Sequence, residues 1–276
     1  MNTISEHHWH HRLADPSGRR RAKPRASGLT MVIDKGLGMH AFEDLLETAG
    51  EHIDMVKIGF GTSPLYPRDL LRAKIVRAKE NGICIYPGGT FLEVAIVQGA
   101  VDEYFSMVSD LGFNGIEVSD GTIPMDRRLR SRLIERGIGE GKTVVTEYGK
   151  KSWNSAIELA EFLETVERDV ECGASLVIVE GRESGAGVGI YDEHGQCRDG
   201  QIRLMLEHVR DRHRIMWEAP QKQQQVHLMK MLGADINIGN VACQDVLSLE
   251  ALRRGLRSDT FFLGTDEGGA DHSRRE

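Results

Sequence analysis

Glu147, Lys150 and Lys151 are the residues whose types and spacing most directly suggest chemistry in this chain. They close a stretch that begins at Thr143. Val144 and Val145 read as a buried strand, the strand leads to Glu147, Gly149 breaks it, and the two lysines follow at once. A carboxylate beside two ammonium groups, at the exit of a buried strand, stands where α/β proteins place reacting groups. Three more apolar runs end in the same way, at Glu117, Glu180 and Glu218. Four carboxylates at equivalent positions on successive strands would converge on one cavity, and they repel unless a cation or bound protons compensate. Their donors are hard oxygens, with no sulfur and no histidine cluster among them. The cation they suit is Mg²⁺ rather than Zn²⁺, held by a subset of the four. The competing reading is a ring of glutamates that only pairs with lysine and arginine around the mouth.

The same strand exits supply cations: Lys35, Lys57, Lys150, Lys151, Arg182 and Lys222. The net charge is −7, so the molecule as a whole should not attract nucleic acid, and a local basic cleft points to a small polyanion. Singly, each lysine is more often an ion-pair partner than a catalyst. Gly88-Gly89-Thr90 and Gly239-Asn240 offer backbone N–H groups at strand exits, a site for phosphate. The eighth-strand position is the better signal of the two, because barrel phosphate sites favour the loops after strands seven and eight. The loop from Gly181 to Gly200 carries alternating Gly185, Gly187 and Gly189 and is expected to act as a flexible lid.

The elements that must hold these residues follow from the apolar pattern. Strands are expected at Leu29–Ile33, Ile53–Ile58, Ile83–Tyr86, Gly115–Val118, Thr143–Thr146, Leu176–Val179, Arg214–Trp217 and Ile236–Ile238, each followed by an amphipathic helix. One long helix, Leu92–Ser109, is expected after the third strand. Eight consecutive strand–helix units with short β-branched strands predict a single closed (β/α)8 TIM-type barrel rather than an open doubly wound sheet. No Gly-x-Gly-x-x-Gly follows the first strand, which weakens a dinucleotide-binding reading. The barrel is expected over 28–262. A His- and Arg-rich leader over 1–27 has no periodic apolar pattern and is expected to be disordered, and 263–276 to fray. No apolar segment follows the leader's arginines to make a signal peptide, and no run is long enough to span a bilayer. Hydrophobic residues make up 40% and charged residues 28% of the 276, an ordinary soluble composition. The four cysteines, Cys84, Cys172, Cys197 and Cys243, are widely spaced, which suits a cytoplasmic, reducing setting.

Several segments together resemble one family. Gly28–Gly36, Lys57–Ser63, Tyr86–Thr90, Glu117–Gly121, Glu147–Lys151, Glu180–Gly185, Glu218–Lys222 and Leu249–Arg257 are similar, in order, to phosphosulfolactate synthases. The resemblance covers about Lys23 to Phe261. It implies a lyase that adds sulfite to phosphoenolpyruvate with Mg²⁺ and gives (2R)-3-phosphosulfolactate, the first step of one route to coenzyme M. It further implies a homo-oligomer, with a trimer as the size considered. The lysine of the Gly-Lys-Lys segment would be the general acid, which falls here on Lys150 or Lys151. Ala186 stands where a basic residue is expected, the segment after Lys151 looks shorter than in archaeal relatives, and relatives outside the archaea serve other purposes, so the chemistry can carry over without the pathway. Two alternatives remain open at this stage. One is another Mg²⁺-dependent barrel lyase or aldolase on a phosphorylated acid, with Lys57 or Lys150 as a Schiff-base lysine. The other is a stress-related homologue without activity.

Overall fold

Every short apolar run expected as a strand joins one parallel sheet. The computed structural model describes residues 9–150, 157–261 and 263. The strands are β1 Thr30–Asp34, β2 Met55–Ile58, β3 Cys84–Pro87, β4 Gly115–Ser119, β5 Thr143–Tyr148, β6 Leu176–Val179, β7 Ile215–Glu218 and β8 Asn237–Ala242. Their order is β3-β2-β1-β8-β7-β6-β5-β4. That places β3 beside β4 at a seam. Asn114, just before β4, bridges it: its amide oxygen accepts the Ile85 N–H at 2.7 Å and its amide nitrogen donates to the Ile83 carbonyl at 3.1 Å. The result is a nearly closed (β/α)8 barrel, the architecture that eight strand–helix units imply.

The helices are α1 His11–Ala14, α2 Met39–Ala49, α3 Arg68–Glu80, α4 Gly89–Val97, α5 Val101–Leu111, α6 Arg127–Gly139, α7 Leu159–Glu171, α8 Asp199–His208, α9 Lys222–Leu232 and α10 Val246–Arg253. The single helix expected over Leu92–Ser109 is two, α4 and α5. The break falls at Gly99, whose φ of +66° lies outside the helical region. No helix of the described residues is long and apolar enough to cross a membrane.

Alternation along the strands sorts their side chains into two sets. Val56, Ile58, Ile116, Val118, Val144, Val177, Val179 and Trp217 pack outward against the helices. Met31, Met55, Tyr86, Val145, Leu176, Ile178 and Met216 form a separate apolar cluster that fills the barrel interior. Two residues further along the same strands come Lys57, Glu147, Glu180 and Glu218, all buried. A period of two therefore places these charges inside the barrel, one layer above the apolar plug.

The leader departs from expectation. Residues 1–8 lie outside the described residues, as do 264–276, so fraying of the tail is not addressed by the structure. From Arg20 onward, however, the leader is tied to the barrel. Arg20 pairs with Glu250 at 2.9 Å, and Arg25 pairs with Asp54 at 3.0 Å. The Lys23 ammonium donates to the carbonyls of Gly50, Ile53 and Asn81 at 3.1, 2.6 and 3.0 Å. The segment lacks apolar periodicity because charged hydrogen bonds, rather than an apolar stripe, fix it.

Burial alone would raise the Glu250 carboxyl, but Arg20, helped by His52 and Arg254, brings it down to about 2. A depressed carboxylate pKa contributes stability that is present above its unfolded value and is lost as pH falls toward the folded one. Acid titration monitored by circular dichroism should therefore show a loss of about 3 kcal/mol from this group between roughly pH 4.5 and 2. Glu250→Gln should flatten that part of the profile and lower the neutral-pH stability by a similar amount.

Candidate active site

Lys57 on β2 is the centre of the barrel mouth. Its ammonium lies 3.0 Å from Glu117 Oε2, 3.0 Å from Glu147 Oε2 and 3.2 Å from Glu218 Oε1. Each of these glutamates has its other oxygen fixed by a different donor. Glu117 Oε1 accepts the Gly89 N–H at 2.8 Å, Glu147 Oε1 accepts the Ser119 hydroxyl at 2.9 Å, and Glu218 Oε2 accepts the Gly181 N–H at 2.9 Å. Glu180 Oε1 accepts the Arg182 N–H at 2.7 Å. Side chains that carry one fixed contact per oxygen have little freedom to turn away. Burial alone would lower the Lys57 pKa, but Glu117, Glu147 and Glu218 hold it well above the usual lysine value. The amine is therefore protonated and not nucleophilic, which argues against Lys57 as a Schiff-base lysine.

Among the described residues, one ammonium, that of Lys57, pairs with three of these four buried carboxylates. Oxygens of Glu147, Glu180 and Glu218 come within 4.8 Å of one another, so this buried acidic cluster could hold a metal ion. An all-oxygen donor set suits a hard cation. The cluster forms the floor of a cavity of ≈ 160 Å³, whose walls include Phe60, Gly88, Gly89, Thr90, Arg182 and Asn240. Among the described residues no carboxylate pairs with Arg182, whose side chain is exposed on the cavity wall. Asn240 has a φ of +55° and sits where the pairing of β1 with β8 shifts register, a bulge that turns its side chain into the mouth. Its amide oxygen is buried with no hydrogen-bond partner among the described residues.

The sequence-derived candidates separate into those the fold brings together and those it does not. Lys57, Glu117, Glu147, Glu180, Glu218, Arg182, Gly88, Gly89 and Asn240 share the cavity. Gly89 is needed for close approach: a Cβ there would lie 2.6 Å from Ser119 Cβ and 2.7 Å from Glu117 Oε1. Its N–H is occupied by Glu117, so it serves the carboxylate ring rather than offering a free phosphate donor. Gly239 lies below the cavity, where a Cβ would meet Met31 Cε at 2.8 Å. Lys222 is outside the cavity and pairs with Asp259 at 2.8 Å. Lys35 is half exposed and faces Glu183 at 3.4 Å. Lys150 is not among the residues that line the cavity, and its ammonium lies 2.7 Å from the Asp120 carbonyl. Lys151 lies outside the described residues. The glycine-rich loop is not a free lid, because Val188, Ile190 and Tyr191 are buried and the Gln224 amide donates to Gly185 and Gly195 carbonyls at 2.6 and 3.0 Å. Sequence reasoning missed Phe60, although its position between Gly59 and Gly61 signals an unusual backbone, and its φ is +56°. It also missed Ser119 as the donor that orients Glu147.

The barrel, with a charged cavity at the C-terminal ends of its strands, defines a (β/α)8 enzyme. A family model described as (2R)-phospho-3-sulfolactate synthase (ComA) matches residues 18–259. A phosphosulfolactate synthase of Methanothermobacter thermautotrophicus is 41% identical over 247 residues, covering 88% of this chain and 94% of that one. The phosphosulfolactate synthase of Bacillus subtilis is 37% identical over 243 residues, covering 87% and 95%. The chain belongs to the phosphosulfolactate synthase family, and its activity is that of a lyase-class phosphosulfolactate synthase. Among solved structures, 3-hexulose-6-phosphate synthase from Salmonella typhimurium superposes with a TM-score of 0.51 at 16% identity, covering 86% of this chain and 94% of that one. That likeness concerns the fold alone.

Removing the central ammonium leaves buried carboxylates uncompensated. Lys57→Met should destabilise the protein by about 3–5 kcal/mol in denaturant unfolding and abolish turnover. Lys35→Met, at a half-exposed pair, should change stability by less than about 1 kcal/mol. Equal effects from the two substitutions would contradict the central role of Lys57.

Proposed function

We propose that the cavity adds sulfite to phosphoenolpyruvate to give (2R)-3-phosphosulfolactate, with Mg²⁺ held by Glu147, Glu180 and Glu218. The observation that carries this reading is a juxtaposition in one small cavity: a buried carboxylate cluster whose oxygens lie within 4.8 Å of one another, beside an arginine that no described carboxylate engages. The volume of ≈ 160 Å³ is below that of drug-sized pockets, roughly 300 Å³ and more, and suits a compact metabolite.

In this reaction the sulfur lone pair of sulfite forms a bond to the methylene carbon, C3. The C2–C3 π pair moves toward C2 and the carboxylate, and a proton then adds at C2. The phosphate stays on its oxygen throughout. When bound, Mg²⁺ would offset the charge that builds on the substrate carboxylate. Arg182 presents a planar fork that fits a carboxylate or sulfite in bidentate fashion. The Asn240 amide faces the same space with an unused acceptor and fits a protonated oxygen of the substrate. An ammonium of the Gly149–Lys151 segment gives its proton to C2 and is left as the neutral amine, and Lys150 is the described candidate. Such a donor is typically worth about 10²–10⁴-fold in rate. Lys57 supports the site by holding three glutamates in place.

Incubation of the purified protein with phosphoenolpyruvate and sulfite, with and without Mg²⁺, tests the reading by product mass. The expected product retains phosphate and gains one sulfonate, and a chelator should abolish it. Consumption of phosphoenolpyruvate without a sulfonate product would overturn the assignment. Arg182→Ala should raise KM for an anionic substrate by about 10- to 100-fold, from the loss of a charge-assisted contact of roughly 1.5–3 kcal/mol.

A further inference from the structure

Asp120 lies at the β4 exit, where Lys150 meets it from the β5 exit. The Lys150 ammonium donates to the Asp120 carbonyl at 2.7 Å and lies 3.3 Å from Asp120 Oδ2. An ordinary exposed lysine–aspartate pair contributes little, because both long side chains must give up freedom to form it. Here one partner is already immobile. Asp120 Oδ1 accepts from Arg130 Nη1 at 3.2 Å. Arg130, on α6, is 3% exposed, and its Nε and Nη2 grip Asp169 of α7 at 2.7–3.0 Å. The same Nη2 donates to the Glu147 carbonyl at 3.0 Å. Burial alone would lower the Arg130 pKa, but Asp169 raises it above the usual value, so the group stays cationic. The segment after Asp120 is fixed as well. Glu93 of α4, 2% exposed, accepts the Thr122 and Ile123 N–H groups at 2.7 and 3.2 Å, and the Gly121 N–H donates to the Ser119 hydroxyl at 3.3 Å.

We propose that Asp120 is a positioning residue for Lys150. It transfers no proton and lies outside the cavity lining. Its carboxylate, locked by the buried Arg130–Asp169 pair, holds the flexible lysine between the β4 and β5 exits. Arg130 ties that anchor to the backbone of Glu147, so the lysine and the carboxylate cluster share one rigid reference. The role rests on the reading of Lys150 as the proton donor.

A double-mutant cycle on the full chain tests it. Asp120→Asn keeps the shape of the side chain and leaves the Arg130–Asp169 pair intact. It should lower kcat by about 10- to 100-fold, the cost of misplacing a reacting group by about an ångström, with KM for phosphoenolpyruvate changed less than about threefold. Asp120→Glu should recover part of the loss. A purely structural role would not produce this split or this rescue. Combined with Lys150→Ala, Asp120→Asn should add no further loss, because it acts through the missing lysine. The proposal is overturned if Lys150→Ala loses activity while Asp120→Asn does not, or if the two losses multiply. Full turnover by Lys150→Ala would overturn the proton-donor reading itself, and this role with it. Thermal unfolding of each variant identifies any loss caused by misfolding.

Discussion

One buried ammonium among buried carboxylates is the interaction on which the mouth of this barrel depends. Three glutamate oxygens lie 3.0–3.2 Å from Lys57 Nζ, at positions that contribute to no apolar core. Without the lysine, the desolvated carboxylates would protonate or force the strands apart. With it, each carboxylate still needs a second, independent donor, and the chain supplies one from a different place each time: a helix N-terminus at Gly89, a hydroxyl at Ser119 and a loop N–H at Gly181. A shift of one residue in any of these strands would turn its charge toward the helices. The register of β2, β4, β5 and β7 is therefore tied to the electrostatics as well as to the apolar core.

The layer beneath makes this tolerable. Met31, Met55, Tyr86, Val145, Leu176, Ile178 and Met216 fill the interior, and along β2, β5, β6 and β7 a charge follows two residues after the last of them. At the other end, Arg253 donates to the carbonyls of Ala234, Ile236 and Leu29 and gathers the starts of β8 and β1. Arg20 and Lys23 act in the same way on neighbouring segments. Both ends of the barrel thus use cations, but on different partners. At the bottom they bind backbone carbonyls as well as the carboxylates of Glu250 and Asp54. At the top, Lys57 faces carboxylates alone.

Much of this was legible in the sequence, for definite reasons. Eight short apolar runs, each followed by a helical pattern, pointed to the barrel, and the repeated glutamate at strand ends picked out four of the residues that line the cavity. The period of two also places Lys57 in the interior, since it follows Met55 by two on a strand with no other charge. The sequence could not say which cations face the cavity. Lys222, Lys35 and Lys57 look alike in one dimension, yet Asp259 and Glu183 engage the first two, and neither contact is visible without the fold. The leader was misjudged because apolar periodicity is blind to an arginine or lysine anchored by carbonyls. The glycine-rich loop was misjudged because glycine reports permitted backbone shapes, not mobility, and Gln224 uses those shapes to hold the loop.

The built-in lysine separates folding from ion binding. In a site made only of carboxylates, the unfilled state is repulsive, and the ion must help to fold the protein that binds it. Here Lys57 neutralises part of the ring in the polypeptide itself, so the mouth can form first. Three of the four glutamates, Glu147, Glu180 and Glu218, also bring oxygens within 4.8 Å of one another, a donor set that suits a hard cation. Lys57 touches Glu117, Glu147 and Glu218, whereas the cluster suited to an ion is Glu147, Glu180 and Glu218. The two sets overlap in two members and differ in one. Glu117 belongs to the lysine's side of the ring and Glu180 to the ion's side, with Glu147 and Glu218 shared. Lys150, just beyond Glu147, meets Asp120, and Arg130 ties Asp120 to the Glu147 backbone, so the lysine stands beside the ring through fixed contacts.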